Sequence, residues 1–195
     1  MTARRVLTVA AIAVVAVGLG WLLFSTLAKR LAEPTPDAEP APPAAAAPTG
    51  VGPHIAAILY FVSEDGTLLE GASVDVPLRD SPAAQARALV EAQLATGPPA
   101  PLTRAVPAGV TVRGVFLTGR DDAYVDLDGT FVSALPGGSH NELMAAYAIV
   151  SVLTTNLTPV KRVQILIDGR EVETLTGHVD LREPLRKNEG LIRVP

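Results

Sequence analysis

Cysteine is absent from the chain. Its absence removes disulfides, thiolate-bound zinc, thiol catalysis and the lipidated cysteine of a bacterial lipoprotein in one step. Histidine is scarce, with 3 in 195 residues, and no Gly-x-Ser-x-Gly, Walker or His-Glu-x-x-His pattern occurs. The commonest signatures of hydrolases, nucleotide-using enzymes and zinc peptidases are therefore missing. Aromatic residues make up 4% and the net charge is −4, with no dense Lys/Arg cluster outside the flanks of one apolar run. A nucleic-acid partner is excluded on that ground, because phosphates demand a basic face.

A long hydrophobic run is present. Val6 to Ala28 carries no charge and is bracketed by Arg4 and Arg5 before it and Lys29 and Arg30 after it. Its length suits a bilayer-spanning helix. A cleavable signal peptide is the competing reading, but Thr26-Leu27-Ala28 is a poor small-x-small cleavage site and the run exceeds a usual signal core. The flanking positive charges nearly balance, so orientation rests on the short N-terminus: residues 1–5 inside, everything after Arg30 outside the cytoplasm. Residues 29–52 include EPTPDAEPAPPAAAAPTGVG, which has no apolar period and reads as a disordered, proline-stiffened tether.

Periodicity begins at residue 53. His54 to Val62 is apolar on both faces and reads as a strand, Asp65-Gly66 as a hairpin turn, and Thr67 to Val76 as a returning strand with a bulge at Gly71. Ser81 before Pro82 is an N-cap with proline at the first helical position, and Gly97-Pro98-Pro99 stops the helix near Thr96. Ala86, Leu89, Val90 and Leu94 form its buried stripe, with Arg87 and Glu91 one turn apart outside. A proline turn at Ala105–Gly109 leads into a hairpin, in which Ala123, Val125 and Leu127 alternate with Tyr124 and Asp126 on a wetter face. Ser139 and Glu142 form a Ser-x-x-Glu capping box for a second helix, whose shared face is Leu143, Ala146, Tyr147, Val150 and Leu153 or Thr154. Val163, Ile165 and Ile167 make a further strand, Asp168-Gly169 a turn, and Val172 to Thr176 the next extended segment. The tail from Arg182 is basic and reads as loosely held.

The order and wording of these segments from residue 54 to 181 resemble the GerMN domain, the module of bacterial sporulation and germination envelope proteins. The residues carrying the likeness are SPAAQARALVEAQLATGPP, the Val125-Asp126-Leu127 strand followed by Phe131, GGSHNELMAAYAIVSVLTTNL, VKRVQILIDG and Gly177-His178-Val179-Asp180-Leu181. The resemblance implies an α+β fold, a small mixed β-sheet with two helices packed on one face and a βαβ pairing within it. It also implies a non-catalytic module that associates side by side with an envelope partner or with itself. The chain reads as a single-module, membrane-anchored member facing the periplasm or the cell wall. A tandem pair and a lipidated cysteine are both missing, so a sporulation role does not carry over.

No catalytic, cofactor-binding or metal-binding residue is assigned, and no cofactor is expected. The one acidic cluster is Asp121, Asp122, Asp126 and Asp128. Asp126-Leu127-Asp128-Gly129 departs from a calcium loop in spacing, lacking the glycine and glutamate at the later positions, and strand-end aspartates before a turn account for it. His140 stands beside a capping serine, and His54 and His178 read as exposed edge residues. Asn156-Leu157-Thr158 matches a glycosylation triplet, but an asparagine closing a helix before Pro159 explains it. The alternative function is an enzyme acting on peptidoglycan, which requires the cluster around Asp126 to be catalytic.

Overall fold

The computed structural model describes residues 52–193. The expected N-terminus (1–5), span (6–28) and tether (29–52) lie outside them, Gly52 excepted. Among the described residues no helix is long and apolar enough to cross a membrane.

Strands β1 (His54–Val62) and β2 (Leu69–Pro77) form an antiparallel hairpin in unbroken register, from His54 opposite Pro77 to Val62 opposite Leu69. The bulge expected at Gly71 is therefore absent. Gly71 sits opposite Tyr60, where a Cβ would lie 2.7 Å from Cγ2 of Ile58. Glycine is there to let a neighbouring side chain cross the strand. The bulge falls instead between Val112 and Gly114, in the strand β3 (Val112–Leu117) that pairs with β4 (Asp122–Leu127).

Helix α1 (Pro82–Ala95) follows its punctuation. Ser81 Oγ accepts the amide of Ala84 at 3.2 Å, and the Thr96 amide closes the last turn on the Ala92 carbonyl. Its buried residues include Ala86, Leu89, Val90 and Leu94, and Arg87 pairs with Glu91 at 2.7 Å on the exposed side. Beyond β4, a single turn α2 (Thr130–Ser133) buries Phe131 fully.

Helix α3 (Ser139–Asn156) connects β4 to β5 (Arg162–Ile167), and β4 and β5 run parallel, the expected βαβ unit. Two expectations for this helix fail. Ser139 is the first helical residue and its side chain makes no capping bond, Gly138 being the N-cap with φ +113. A positive φ at that junction suits glycine, and the Glu142 side chain is engaged elsewhere. The apolar face is also wider than the expected stripe. Met144, Ala145, Ala148, Ile149 and Val152 are buried with Ala146, Val150 and Leu153, because α3 packs against α1, β1 and β5 at once.

Asp168 and Gly169, at φ +51 and +77, turn the chain into β6 (Arg170–Glu171). Both central residues have the positive φ of a type I′ hairpin. The expected strand from Val172 to Thr176 does not form. The side chain of Glu142 takes up donors of that segment instead. β7 (Leu185–Arg186) pairs with β5, and Arg193 donates its amide to the Leu69 carbonyl at 2.8 Å. Contrary to expectation, residues 182–193 of the tail are thus tied to the domain, at β7 and at Arg193.

The expected single sheet is two sheets, the β1–β2 pair and a five-stranded sheet ordered β3-β4-β5-β6 with β7 also on β5. The reason lies at the free edge of β1. Ile58 exchanges main-chain bonds with the Asn156 amide, donating to Oδ1 at 2.8 Å and accepting from Nδ2 at 2.8 Å. Tyr60 does the same with Gln93, at 2.8 and 2.6 Å. Val62 exchanges both bonds with Thr103 at 2.9 Å. Carboxamides from α1 and α3 stand where a neighbouring strand would be, so the sheet ends there with its backbone groups satisfied. Between and beneath the strands, Leu59, Phe61, Leu89, Val125, Ile149, Leu153, Val163 and Ile165 belong to one apolar core.

Candidate functional site

The acidic cluster is assembled by the bulge in β3 and by the parallel β4–β5 pair. Asp122 and Asp126 lie on the face of β4 opposite the buried Ala123, Val125 and Leu127, each adjacent in sequence to one of them. The alternation of β4 is as expected, but this face is not wet. Asp122 and Asp126 are 8% and 9% exposed, and each carboxylate is spoken for. Asp122 accepts Arg162 Nε at 2.6 Å and Nη2 at 2.8 Å, a bidentate pair across β4 and β5. Asp126 accepts the Gly169 amide at 2.7 Å and Arg113 Nε at 3.2 Å. Arg113 also reaches Asp168 at 3.7 Å.

Asp128 closes the other end. It accepts the Thr111 amide at 2.7 Å, the Thr111 hydroxyl, and the Thr130 amide at 2.8 Å, tying the entry to β3 to the start of α2. The Thr111 hydroxyl above all holds its pKa down to about 2. Strand-end aspartates serving turns are what the sequence led us to expect. Asp121 contributes its backbone, at φ +64, to the β3–β4 turn. The structure therefore gathers Asp122, Asp126 and Asp128 along one strand and spends them on the fold.

The most buried carboxylate was missed as a tie. Glu142 is 0% exposed and accepts the amides of Leu175 at 2.9 Å and His178 at 3.0 Å and the hydroxyl of Thr176 at 2.7 Å. Burial disfavours its charge, yet the Thr176 hydroxyl and these amides outweigh it and bring the pKa down to about 2. The ring of His178, through Nδ1, lies 3.0 Å from the same carboxylate. The signal was legible: Glu142 is the only acid in the apolar helix α3. Gln93 is similar, since it falls within the stripe that holds Leu89, Val90 and Leu94.

His140 lies at the N-terminal end of α3, where Nε2 donates to the Gly66 carbonyl, and His54 bonds the Gly52 carbonyl at 2.8 Å. His140 and His178 thus both lie near the start of α3, the second against Glu142, and His54 at the start of β1. Among the described residues no group of His, Asp and Glu is placed to hold a metal ion. A cleft of about 540 Å³ runs between α1 and residues 104–112 and is lined by Arg87, Glu91 and Arg104. These charges are also engaged. Arg87 reaches the Val112 carbonyl at 3.1 Å, and Arg104 the Leu94 carbonyl at 3.0 Å at the end of α1.

The geometry defines a class: an α+β module whose interior charges and amides join its own segments. Residues 58–173 match the Germane family, described as sporulation and spore germination, and the chain belongs to that family. No curated protein matches it. Among solved structures it is similar to the tandem GerMN domains of the sporulation protein GerM from Bacillus subtilis, at 20% identity and a TM-score of 0.54. That match covers 69% of this chain and 46% of the tandem chain, so this chain spans less than half of it. The first GerMN domain of the same protein matches at 18% identity and TM-score 0.54, over 69% of this chain and 98% of that one. At these identities the likeness is one of fold. It establishes the GerMN-like architecture expected from the sequence.

Proposed function

We propose that this chain is a membrane-anchored, non-catalytic interaction module of the bacterial cell envelope. The apolar run from Val6 to Ala28 anchors it as a single-pass protein, residues 29–52 hold the domain away from the bilayer, and residues 53–195 face the periplasm or cell wall. The observation that carries the reading is the employment of its carboxylates. Asp122, Asp126, Asp128 and Glu142 each accept two or more hydrogen bonds, at least one of them from another segment of the chain. A general acid or base must be free to exchange its proton with a substrate, and groups locked in this way join segments instead. The partner is an envelope protein or a second copy of the chain.

The test is complementation of a deletion strain. A tether replaced by a Gly/Ser sequence of equal length should restore function, because only reach matters. An exported domain without Val6–Ala28, at native abundance, should restore it poorly, since anchoring supplies effective concentration. Full rescue by the released domain would sink the tethered-module reading. Loss of a cell-wall hydrolysis in Asp126→Asn, with stability retained, would replace it with the enzyme reading.

A further inference from the structure

Residues 188–193 close a turn of their own. Asn188 Oδ1 accepts the Gly190 amide at 3.0 Å, and the amides of Leu191 and Ile192 donate to the Asn188 and Glu189 carbonyls at 3.1 and 3.2 Å. Among the described residues, a small set of contacts at β2 joins this turn to the rest of the domain. Ile192 forms a parallel bridge with Leu69, Arg193 donates its amide to the Leu69 carbonyl, and its guanidinium pairs with Asp65 at 2.5 Å and Glu70 at 3.7 Å. Leu191 and Ile192 add partly buried contacts against the core.

The position held by these contacts is the free edge of β2. In an antiparallel pair successive residues turn their main-chain groups alternately toward the partner strand and away from it. The Leu69 carbonyl faces the tail, so Leu69, Gly71, Ser73 and Asp75 turn theirs away from β1. A bare edge is a template for another strand. The far edge of β1 is closed by carboxamides, whereas the edge of β2 is covered, among the described residues, by the tail at Leu69. A strand adding to that end of β2 must first displace Arg193. Beside the contact opens a cavity of about 300 Å³, lined by Ile58, Tyr60, Glu70, Gly71, Ile192 and Arg193. The tail is one of its walls.

The two sides of the contact are not equally secure. Leu69 is 0% exposed and belongs to the core that holds β1 and β2 together. The 3-10 turn Glu189–Leu191 has no fully buried residue. Its ion pairs lie in water, the side chains of Arg193, Asp65 and Glu70 being 41%, 53% and 38% exposed. Pairs so exposed contribute little and are screened by salt. Asp65 keeps its place without Arg193, because it accepts the Ser63 hydroxyl and both the amide and the hydroxyl of Thr67. Releasing the turn therefore leaves the hairpin intact, and the turn carries its own bonds with it.

We propose that residues 188–193 are a clasp on the free edge of β2, which swings open about Lys187 while the domain stays folded and so controls access to that edge and to the cavity beside it. Segments with few buried contacts open at a lower free energy than the whole domain. Upstream of the hinge β7 remains on β5, where Leu185 lies opposite the buried Val163. Salt favours the open form, since it weakens the Arg193 pairs and leaves the apolar core untouched.

Hydrogen exchange read by mass spectrometry on the full-length chain in lipid nanodiscs tests the clasp. Peptides covering 188–193 should exchange about tenfold or more faster than those covering 54–62, because opening the clasp does not require global unfolding. Raising salt to about 1 M should speed the first set alone. Arg193→Ala should give the high-salt rate at low salt and leave exchange in 54–62 unchanged. Glu70 and Arg193 follow the bridged pair, so their Cα atoms stand about 4.8 Å apart, the spacing of neighbouring strands, which is within reach of a disulfide. The chain has no cysteine, so Glu70→Cys combined with Arg193→Cys, once oxidised, should slow 188–193 toward the 54–62 rate, and reduction should reverse it. Exchange of 188–193 in step with 54–62, a rate indifferent to salt and to Arg193→Ala, fast exchange in the oxidised pair, or lost protection of 54–62 in Arg193→Ala would each overturn the proposal.

Discussion

Replacing Gln93 by leucine isolates the contribution of the carboxamides that close β1. Leucine is close to glutamine in volume, so the change falls mainly on hydrogen bonding. In the native fold its Oε1 accepts the Tyr60 amide and its Nε2 donates to the Tyr60 carbonyl. Gln93 is 3% and Tyr60 4% exposed, so water has little access to replace it. Leaving a buried main-chain donor or acceptor unpaired costs about 1–3 kcal/mol. Two such groups are orphaned together. The loss should be about 2–6 kcal/mol, set against the ~5–15 kcal/mol of a typical domain. Urea denaturation of a fragment beginning at Pro53 should show a markedly lower midpoint with an unchanged slope. A Gln93→Leu midpoint equivalent to less than about 0.5 kcal/mol of change would refute the reasoning, since both bonds would then be replaceable or unimportant.

The two helix starts should respond differently. Ser81→Ala removes a formed cap and should cost about 1 kcal/mol, whereas Ser139→Ala, which removes none, should leave the midpoint unmoved. Val125→Asp should abolish cooperative melting by circular dichroism, because it puts a charge without a partner at a position 0% exposed. Glu142 should confer an acid-sensitive stability. Its pKa falls on folding from 4.5 to about 2, so the contribution is complete above 4.5 and is lost as pH falls from there toward 2. By linkage it amounts to about 3 kcal/mol at neutral pH. Glu142→Gln should therefore flatten the stability profile between pH 5 and 2, measured by denaturation midpoints; an unchanged profile would show that the carboxylate does not hold the 175–178 segment.

Helix α1, the β3–β4 hairpin and the Asp168-Gly169 turn follow from local sequence. Caps, proline and glycine stops, and apolar period act within a few residues of one another, so the chain states them directly. The GerMN-like identity was legible for the same reason, as an order of such segments. What the hydrophobic pattern cannot carry is the destination of a polar side chain. Ser139 and Glu142 have the spacing of a capping box, and Glu142 nonetheless turns to three donors some thirty residues away, because a buried carboxylate goes where the most donors converge. Asp126 alternates like a solvent-facing residue but is covered by Arg113 and the 168–169 turn. Gln93 and Asn156 lie on helices, yet their amides end a β-sheet. The division into two sheets and the tied tail both depend on which backbone groups find partners across long separations. That matching is settled only when every segment is in place, and here the tertiary structure alone decided it.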